Sequence, residues 1–308
     1  MRVLLIDIDS TIPNLALKKI EKYHKDRGDE VIWNFPLVKN DMDKIYVSCV
    51  FKKNKWKCEE WEGIADIGGS GYSLSITLPQ EIDSIKPKIN YGFTTRGCIR
   101  NCKFCIVPEK EGKVRVVGDI YDFWDGKSKS ITIMDNNILA EPEHFKKIIA
   151  QLKKEKLTVD FNQGLDHRLL TDELCRELVS VRHKELRFAF DHISYKKSVL
   201  KAIEILKRHG RDKFNTRWYV YVGEEDTFET VYERLAILKE NKQGAYVMRD
   251  EKVYDNKIFI ALASWANAIG AFKLGTFEEI FSKSKRMSGY KKYIPILNNK
   301  KEEVFKLY

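Results

Sequence analysis

The stretch Gly97-Cys98-Ile99-Arg100-Asn101-Cys102-Lys103-Phe104-Cys105 contains three of the six cysteines of the chain, in the spacing C-x3-C-x2-C. A loop this short can direct three thiolates at one centre, as in the cysteine runs that hold iron–sulfur clusters. A structural zinc site needs four ligands, and the nearest histidine, His144, is far along the chain. A redox pair would use Cys102 and Cys105 and leave Cys98 without a role. The spacing therefore favours an iron–sulfur cluster, with zinc or a redox thiol pair as the alternatives.

Residues 91–108 read Tyr-Gly-Phe-Thr-Thr-Arg before this stretch and Ile-Val-Pro after it. The whole segment resembles the first barrel strand and cluster loop of the radical S-adenosylmethionine (radical SAM) superfamily. The resemblance implies a 4Fe-4S cluster held by Cys98, Cys102 and Cys105, with the open iron binding S-adenosylmethionine. It further implies reductive cleavage to a 5′-deoxyadenosyl radical that abstracts hydrogen from a substrate. An external donor of the flavodoxin or ferredoxin type would supply the electron.

From residue 91 onward, strand-like runs alternate with amphipathic helices. The runs are residues 91–95, 131–134, 158–161, 186–190, 218–222 and 245–248. Helix starts are marked by Pro142, by Thr171, and by Asp226 with Glu229 in a capping-box-like pattern. Alternating strands and helices indicate parallel βα units, hence an α/β fold. The resemblance implies that six such units form a partial (β/α)6 barrel over residues 89–272, followed by a basic extension at 273–308.

Residues 1–88 predict a smaller α/β domain. The apolar residues 3–8 predict a buried parallel strand, and Pro13 predicts the start of a helix that stops at Gly28. Two further strands are predicted at residues 30–35 and 44–51. A strand–helix–strand opening indicates a small doubly wound layer.

Two parts of this region resemble the cobalamin-binding domain that precedes many radical SAM barrels. They are residues 13–17 with 27–29, and the glycine turn Ile67-Gly68-Gly69-Ser70-Gly71-Tyr72. The turn can equally be a tight turn that only glycine makes easily. The region is short and lacks an Asp-x-His-x-x-Gly cobalt-ligand motif. We therefore expect a shortened, cofactor-free domain, with bound cobalamin as the less favoured alternative.

Polar residues that follow the barrel strands are candidate site residues, because βα barrels place their chemistry at the carboxyl ends of the strands. For S-adenosylmethionine, the resemblance gives Phe104, Val107, Asp135, Asn136, Asn137 and Gln163. For the substrate, strand ends give Asp166, Arg168 and Asp191.

The roles expected of these residues differ. Asp135 or Asn136 would contact the methionine amino group, although residues 134–137 depart from the Gly-Gly-Glu pattern of the superfamily. Gln163 would reach the ribose or carboxylate, Phe104 would pack near the adenine, and the backbone of Val107 would pair with its edge. The alternatives are that the asparagines cap helices and that Asp166 and Arg168 form a local ion pair.

The formal net charge of +10 is concentrated in two segments. Residues 44–57 contain five lysines and no acid, and residues 281–308 contain eight Lys or Arg against two Glu. Trp56 lies in the first segment, and Tyr290 and Tyr293 lie in the second. Basic residues interleaved with stacking rings predict contact with nucleic acid, such as tRNA or DNA. The alternative is a solvated basic face.

Composition excludes several classes of protein. No apolar run approaches the ~20 residues that span a bilayer, and the amino end turns acidic at Asp7, too early for a signal peptide. Three of the six cysteines are clustered, which argues against a disulfide framework and for a reducing compartment. We therefore expect a cytoplasmic protein without a membrane partner.

Three functions compete on the sequence. The leading hypothesis is a radical SAM enzyme that acts on nucleic acid. The second is a cobalamin-dependent radical SAM methylase or ring-forming enzyme that acts on a small molecule or peptide. The third is a non-enzymatic, zinc-stapled nucleic-acid-binding protein.

Overall fold

The computed structural model describes residues 1–283, so most of the basic segment 281–308 lies outside the described residues. The chain divides into two compact units, Met1–Val159 (unit 1) and Asp160–Tyr308 (unit 2). The domain boundaries at residues 88 and 272 stay predictions. No helix of the described part is both long enough and apolar enough to cross a bilayer.

The strands are β1 (Arg2–Asp7), β2 (Glu30–Trp33), β3 (Lys44–Ser48), β4 (Asp66–Gly68), β5 (Tyr91–Gly92), β6 (Thr95–Arg96), β7 (Arg115–Val116), β8 (Ser130–Ile133), β9 (Thr158–Phe161), β10 (Arg182–His183), β11 (Leu186–Ala189), β12 (Thr216–Val222) and β13 (Gly244–Arg249). The α-helices are α1 (Leu15–Lys25), α2 (Gln80–Asp83), α3 (Val107–Lys110), α4 (Pro142–Lys154), α5 (Asp172–Val179), α6 (Lys196–Arg208), α7 (Phe228–Glu240), α8 (Lys257–Ala266), α9 (Ile269–Leu274) and α10 (Phe277–Lys283).

Unit 1 opens with a four-stranded parallel sheet in the order β2-β1-β3-β4. The apolar run of β1 alternates between two hydrophobic clusters, as a strand covered on both faces must. Val3 and Leu5 pack with Leu17 of α1, whereas Leu4 and Ile6 belong to the other cluster. The predicted small α/β layer is confirmed.

The predicted strand 91–95 is interrupted. Its first part, β5, pairs in parallel with β8, and β9 is the next strand beside β8. The chain then leaves this sheet, and β6 pairs antiparallel with β7, so that Thr95 lies opposite Val116. The sequence did not predict this two-stranded ribbon, which closes the base of the cysteine loop.

Unit 2 contains a parallel sheet in the order β11-β12-β13. Alternate residues of β12 are buried, and Trp218 stacks on Phe188 with ring centroids 5.1 Å apart. The parallel α/β character is confirmed. Closure of six strands into a partial barrel stays a prediction.

Two predicted helix starts need correction. Helix α1 is capped by Asn14, whose side chain accepts a hydrogen bond from Leu17 N (3.2 Å), and not by Pro13. Helix α7 is capped by Thr227, which forms its capping box with Thr230. Asp226 does not cap this helix, because its carboxylate pairs with the guanidinium of Arg234. The start of α4 at Pro142 and the Thr171 cap of α5 are confirmed.

Candidate functional site

The three cysteines lie on a loop, residues 97–114, whose base is closed by the β6–β7 ribbon. Cys98 N donates to Gly112 O (3.1 Å), and Arg96 Nε donates to Glu111 Oε2 (2.7 Å). Both bonds join the beginning of the loop, at Arg96 and Cys98, to the end of the loop, at Glu111 and Gly112. The cysteines are therefore presented by a loop with a fixed base.

At Gly97, the beginning of the loop packs directly against the backbone of residues 112–113 at its end. Gly97 is buried, has a φ of +83°, and a Cβ built on it would lie 2.2 Å from Lys113 O. Both the dihedral and the lack of space require glycine.

We expect Gly97→Ala to open the loop at its base and to lower the iron bound after reconstitution by more than about half, because the backbone must shift to admit the methyl group. Gly112→Ala is the matched control. Its φ is also positive (+72°), but nothing lies within 4 Å of the added Cβ. The cost there should stay near the ~1 kcal/mol of a strained backbone angle. Equal iron loss in both variants would contradict the packing argument, and iron per chain after desalting is the measurement.

Backbone N–H groups are directed at the thiols of Cys98 and Cys105. All three cysteines are half-buried and none forms a disulfide. Arg100 N lies 3.3 Å from Cys98 Sγ, and Val107 N lies 3.5 Å from Cys105 Sγ. N–H groups aimed at sulfur stabilise the thiolate form that binds metal, and they tune the potential of an iron–sulfur cluster. These donors would stabilise thiolates at Cys98 and Cys105, and ligation of a cluster by the three cysteines stays a prediction.

The three cysteines are not gathered closely around one point. Within residues 1–283, no three His, Cys, Asp or Glu side chains converge closely enough to hold one ion. This finding includes Cys98, Cys102 and Cys105, so it does not distinguish an iron–sulfur cluster from zinc. Both stay predictions for this loop.

The other three cysteines are core residues. Cys49, Cys58 and Cys175 are buried. Burial raises the pKa of the Cys49 thiol to about 12 and that of Cys175 to about 11. Buried thiols of this kind are inert packing groups. Cys175 lies on the buried face of α5, with Leu174 and Leu178.

The three polar residues after β8 all contact the strand and loop that carry the cysteines. Asp135 accepts from Thr94 N (2.6 Å) and Thr94 Oγ1 (2.5 Å). Asn136 Oδ1 accepts from Gly97 N (3.1 Å), and Asn137 Nδ2 lies 3.6 Å from Cys98 Sγ. Burial raises the pKa of the Asp135 carboxyl, and the hydrogen bonds from Thr94 act against that shift.

These contacts give the three residues a positioning function that the sequence did not predict. A role in binding S-adenosylmethionine stays a prediction for each of them. Phe104 is 45% exposed. The Val107 N–H faces Cys105, and its carbonyl accepts from Glu111 and Gly112, so an adenine edge would share groups already in use.

The polar candidates of unit 2 are arranged around the end of β11. Arg168 Nε donates to Asp166 Oδ1 (2.8 Å), and the Arg168 guanidinium lies 5.0 Å above the ring of Tyr195. Asp191 accepts a hydrogen bond from Tyr221 N (3.3 Å). Burial raises the pKa of the Asp191 carboxyl, and the positive charge of Arg168 partly opposes that shift. The local ion pair of Asp166 and Arg168 is therefore present. Gln163 is exposed. Substrate binding by Asp166, Arg168 and Asp191 stays a prediction.

Arg234 is not among the residues that the sequence predicted to be important. It is fully buried on α7 and donates from Nη1 to the carbonyls of Asp191 (2.7 Å), Tyr221 (2.8 Å) and Phe190 (3.2 Å). Its other terminal nitrogen binds Asp226. One guanidinium thus ties the ends of β11 and β12 to the loop before α7. The available signal was an arginine within the apolar stripe of this helix.

Asp191 should make the stability of the protein depend on pH. Burial raises the pKa of its carboxyl from 3.8 to about 6. A raised pKa in the folded state gives a stabilising contribution that is complete below pH 3.8 and is lost as the pH rises through about 6. In urea denaturation, we expect the free energy of unfolding of Asp191→Asn to match that of the wild type near pH 3. At pH 7.5 it should exceed the wild-type value by on the order of 3 kcal/mol. A difference independent of pH would contradict the assignment.

Unit 1 also contains a cavity of about 1190 Å³. Its lining includes Ala16 of α1, Ser48 at the end of β3, and Gly69 after β4. The strand order reverses between β1 and β3, the position at which open parallel sheets bind ligands. A Cβ on Gly69 would lie 2.2 Å from Cys49 O, so the glycine turn packs tightly on the loop after β3. The tight-turn alternative is confirmed for this residue.

No protein-family model matches the chain, and no curated protein matches its sequence. Among solved structures, the chain is similar to the radical S-adenosylmethionine methyltransferase TsrM from Kitasatospora setae, solved with cobalamin and a 4Fe-4S cluster bound. The likeness covers 80% of this chain and 72% of TsrM, with a TM-score of 0.60 and 10% sequence identity. The chain thus shares its fold with a radical SAM methyltransferase.

Proposed function

We propose that this chain is a radical SAM enzyme whose 4Fe-4S cluster is held by Cys98, Cys102 and Cys105. The observation that carries the proposal is the cysteine loop itself, with its closed base and its N–H groups directed at Cys98 and Cys105. The likeness in fold to TsrM supports it. When bound, the cluster and S-adenosylmethionine supply the radical chemistry.

The chain's own residues have distinct parts in this proposal. Asp135, Asn136 and Asn137 hold the loop in place through Thr94, Gly97 and Cys98. Asp135 or Asn136, Gln163, Phe104 and the Val107 backbone are the proposed contacts to S-adenosylmethionine. An external flavodoxin- or ferredoxin-type protein is the proposed electron donor.

At the substrate side, Asp166, Arg168 and Asp191 are the proposed binding residues. Arg168 is held by Asp166 and lies over Tyr195, which fixes the direction of its charge. Nucleic acid is the proposed substrate class, because basic and aromatic residues are concentrated in residues 44–57 and 281–308.

The test is anaerobic purification with cluster reconstitution, followed by iron and sulfide content and by 5′-deoxyadenosine release under dithionite. About four irons per chain with 5′-deoxyadenosine formed is the expected result. Iron without cleavage, or zinc in place of iron, would overturn the proposal and leave a binding protein.

A second candidate is a cobalamin-dependent radical SAM enzyme that acts on a small molecule or peptide. TsrM was solved with cobalamin bound. The cavity of unit 1 exceeds the roughly 300–1,000 Å³ of a drug-sized site. These two observations raise cobalamin above the cofactor-free domain expected from the sequence, although the tight packing at Gly69 leaves no cradle at that residue. Co-elution of hydroxocobalamin with the protein on gel filtration would support this candidate, and elution of all corrinoid with the small molecules would exclude it.

A further inference from the structure

A ten-residue 3-10 helix of unit 1, Lys52–Trp61, presents basic and aromatic side chains to solvent. Its inner side is anchored, because Cys58 and Trp61 are buried in the core beside β3. Asp9 fixes its start by accepting from Phe51 N (3.0 Å) and Asn54 Nδ2 (3.0 Å). The outer residues therefore project from a fixed backbone.

The outer residues form a surface that we call the basic–aromatic patch, defined as Phe51, Lys52, Lys53, Lys55, Trp56 and Lys57. Trp56 is 64% exposed and Phe51 is 44% exposed. Lys57 Nζ lies 5.7 Å from the Trp56 ring centroid, and Lys53 Nζ lies 6.0 Å from that of Phe51. Each exposed ring thus has an ammonium group beside it.

The lysines of the patch differ from those of α1 in their partners. On α1, Lys18 and Lys25 form ion pairs with Glu21 of the same helix, and Lys22 pairs with Asp26 directly after it, at 2.7–2.9 Å. Within residues 1–283, the patch lysines form no ion pair with a carboxylate. Glu59 and Glu60 are exposed on the second half of the 3-10 helix that carries the patch, but neither lies within ion-pair distance of these lysines. The lysine ammonium groups are therefore available to an external anion.

The positive charge and the exposed rings of the basic–aromatic patch together indicate the class of molecule that it binds. Proteins that bind single strands combine lysines along the phosphate backbone with exposed aromatic rings on which bases stack. An amphipathic membrane helix would need a continuous apolar face. The basic–aromatic patch has only two rings, Phe51 and Trp56, separated by four polar residues.

From this arrangement, we infer that the basic–aromatic patch binds a single-stranded segment of nucleic acid, with Trp56 stacking on a base and Lys52, Lys53 and Lys57 contacting phosphates. The inference rests on the proposed function in that it locates where a nucleic-acid substrate is held. It concerns binding alone, so it is tested without turnover.

The experiment measures the affinity of the full-length protein for a fluorescein-labelled oligouridylate and for the matching oligothymidylate over a range of salt concentrations. The patch variant is K52Q/K53Q/K57Q, and the matched control is K18Q/K22Q/K25Q, which removes the same charge from α1. We expect the patch variant to lose at least tenfold in affinity, and the slope of log K against log salt to fall by about 2, since each single-strand phosphate contact contributes about 0.7. The control should stay within about twofold of the wild type.

The Trp56→Ala variant should also lose about tenfold or more in affinity for the oligonucleotides. Trp56→Phe should retain most of the affinity, because stacking needs a flat ring. Trp56 is mostly exposed, so neither change should alter the thermal unfolding midpoint. Tighter binding of oligouridylate assigns RNA, and tighter binding of oligothymidylate assigns DNA.

Three outcomes would overturn the inference. They are equal loss in the α1 control, unchanged affinity in Trp56→Ala, and patch-dependent binding to phosphatidylserine vesicles without binding to either oligonucleotide. Iron content of the reconstituted patch variant should equal that of the wild type. A protein that binds oligonucleotide through the patch but holds no iron would refute the proposed function and leave this inference intact.

Discussion

Replacing Cys98, Cys102 or Cys105 with alanine is expected to abolish 5′-deoxyadenosine release and to remove most of the bound iron. Each thiolate would ligate a different iron, so the loss of one leaves an iron without its protein ligand and destabilises the whole cluster. The effect should be all-or-none and at least a hundredfold in cleavage rate, because the cluster then has only two of its three protein ligands.

The measurements are iron and sulfide per chain, the electron paramagnetic resonance signal of the reduced protein, and 5′-deoxyadenosine released under dithionite. Cys175→Ala is the control, because Cys175 is fully buried on α5 and should cost only packing energy. A loop variant that keeps full cleavage would remove that cysteine from the ligand set. Equal iron loss in Cys175→Ala would show that general destabilisation is the cause.

Most of the secondary structure could be predicted from the sequence, because it follows from local apolar patterns. The strand predicted at 158–161 is β9, and the helix predicted from Pro142 is α4. The ribbon of β6 and β7 could not be predicted in this way. Each of its strands is two residues long, and their pairing depends on how the intervening cysteine loop folds.

The cysteines of the candidate site could be predicted from the sequence, but the contacts of its other residues could not. The cysteine ligands follow from spacing in the sequence, which is a local property. Thr94 donates to Asp135 and Asn137 donates to Cys98, and each bond joins residues about forty positions apart. Only the parallel pairing of β5 with β8 brings these residues together. The sequence pattern places these polar residues at a strand end but does not determine their hydrogen-bond partners.

Arg234 illustrates a different limit. Helical periodicity places it between Val231, Leu235 and Leu238 on the buried face of α7, where an arginine is not expected. Only the structure shows that three carbonyls at the ends of β11 and β12 and the carboxylate of Asp226 satisfy its donors. A buried charge of this kind is tolerated because it is paired and hydrogen-bonded.

Replacing Arg234 with methionine should therefore destabilise the protein by about 3–5 kcal/mol, the usual cost of removing one partner from a buried ion pair. The apolar side chain fills much of the same space but leaves Asp226 and the three carbonyls without their donor. In urea denaturation we expect the midpoint to fall by about 1 M or more with little change in slope. Arg176→Met is the matched control, because Arg176 forms an exposed pair with Asp172 at 3.3 Å and should contribute less than about 1 kcal/mol.

A second comparison separates the charge of Arg234 from its bulk. If the uncompensated carboxylate causes most of the loss, Arg234→Met combined with Asp226→Asn should be more stable than Arg234→Met alone, by on the order of 1–2 kcal/mol. Asp226 also accepts from Gly223 N (2.9 Å), a bond that asparagine can keep through its carbonyl oxygen. Because the same guanidinium holds the Asp191 carbonyl, the single variant should also shift the pH dependence assigned to Asp191. If Arg234→Met were no less stable than Arg176→Met, the ends of β11 and β12 would be held by the sheet alone, and Arg234 would have no positioning function.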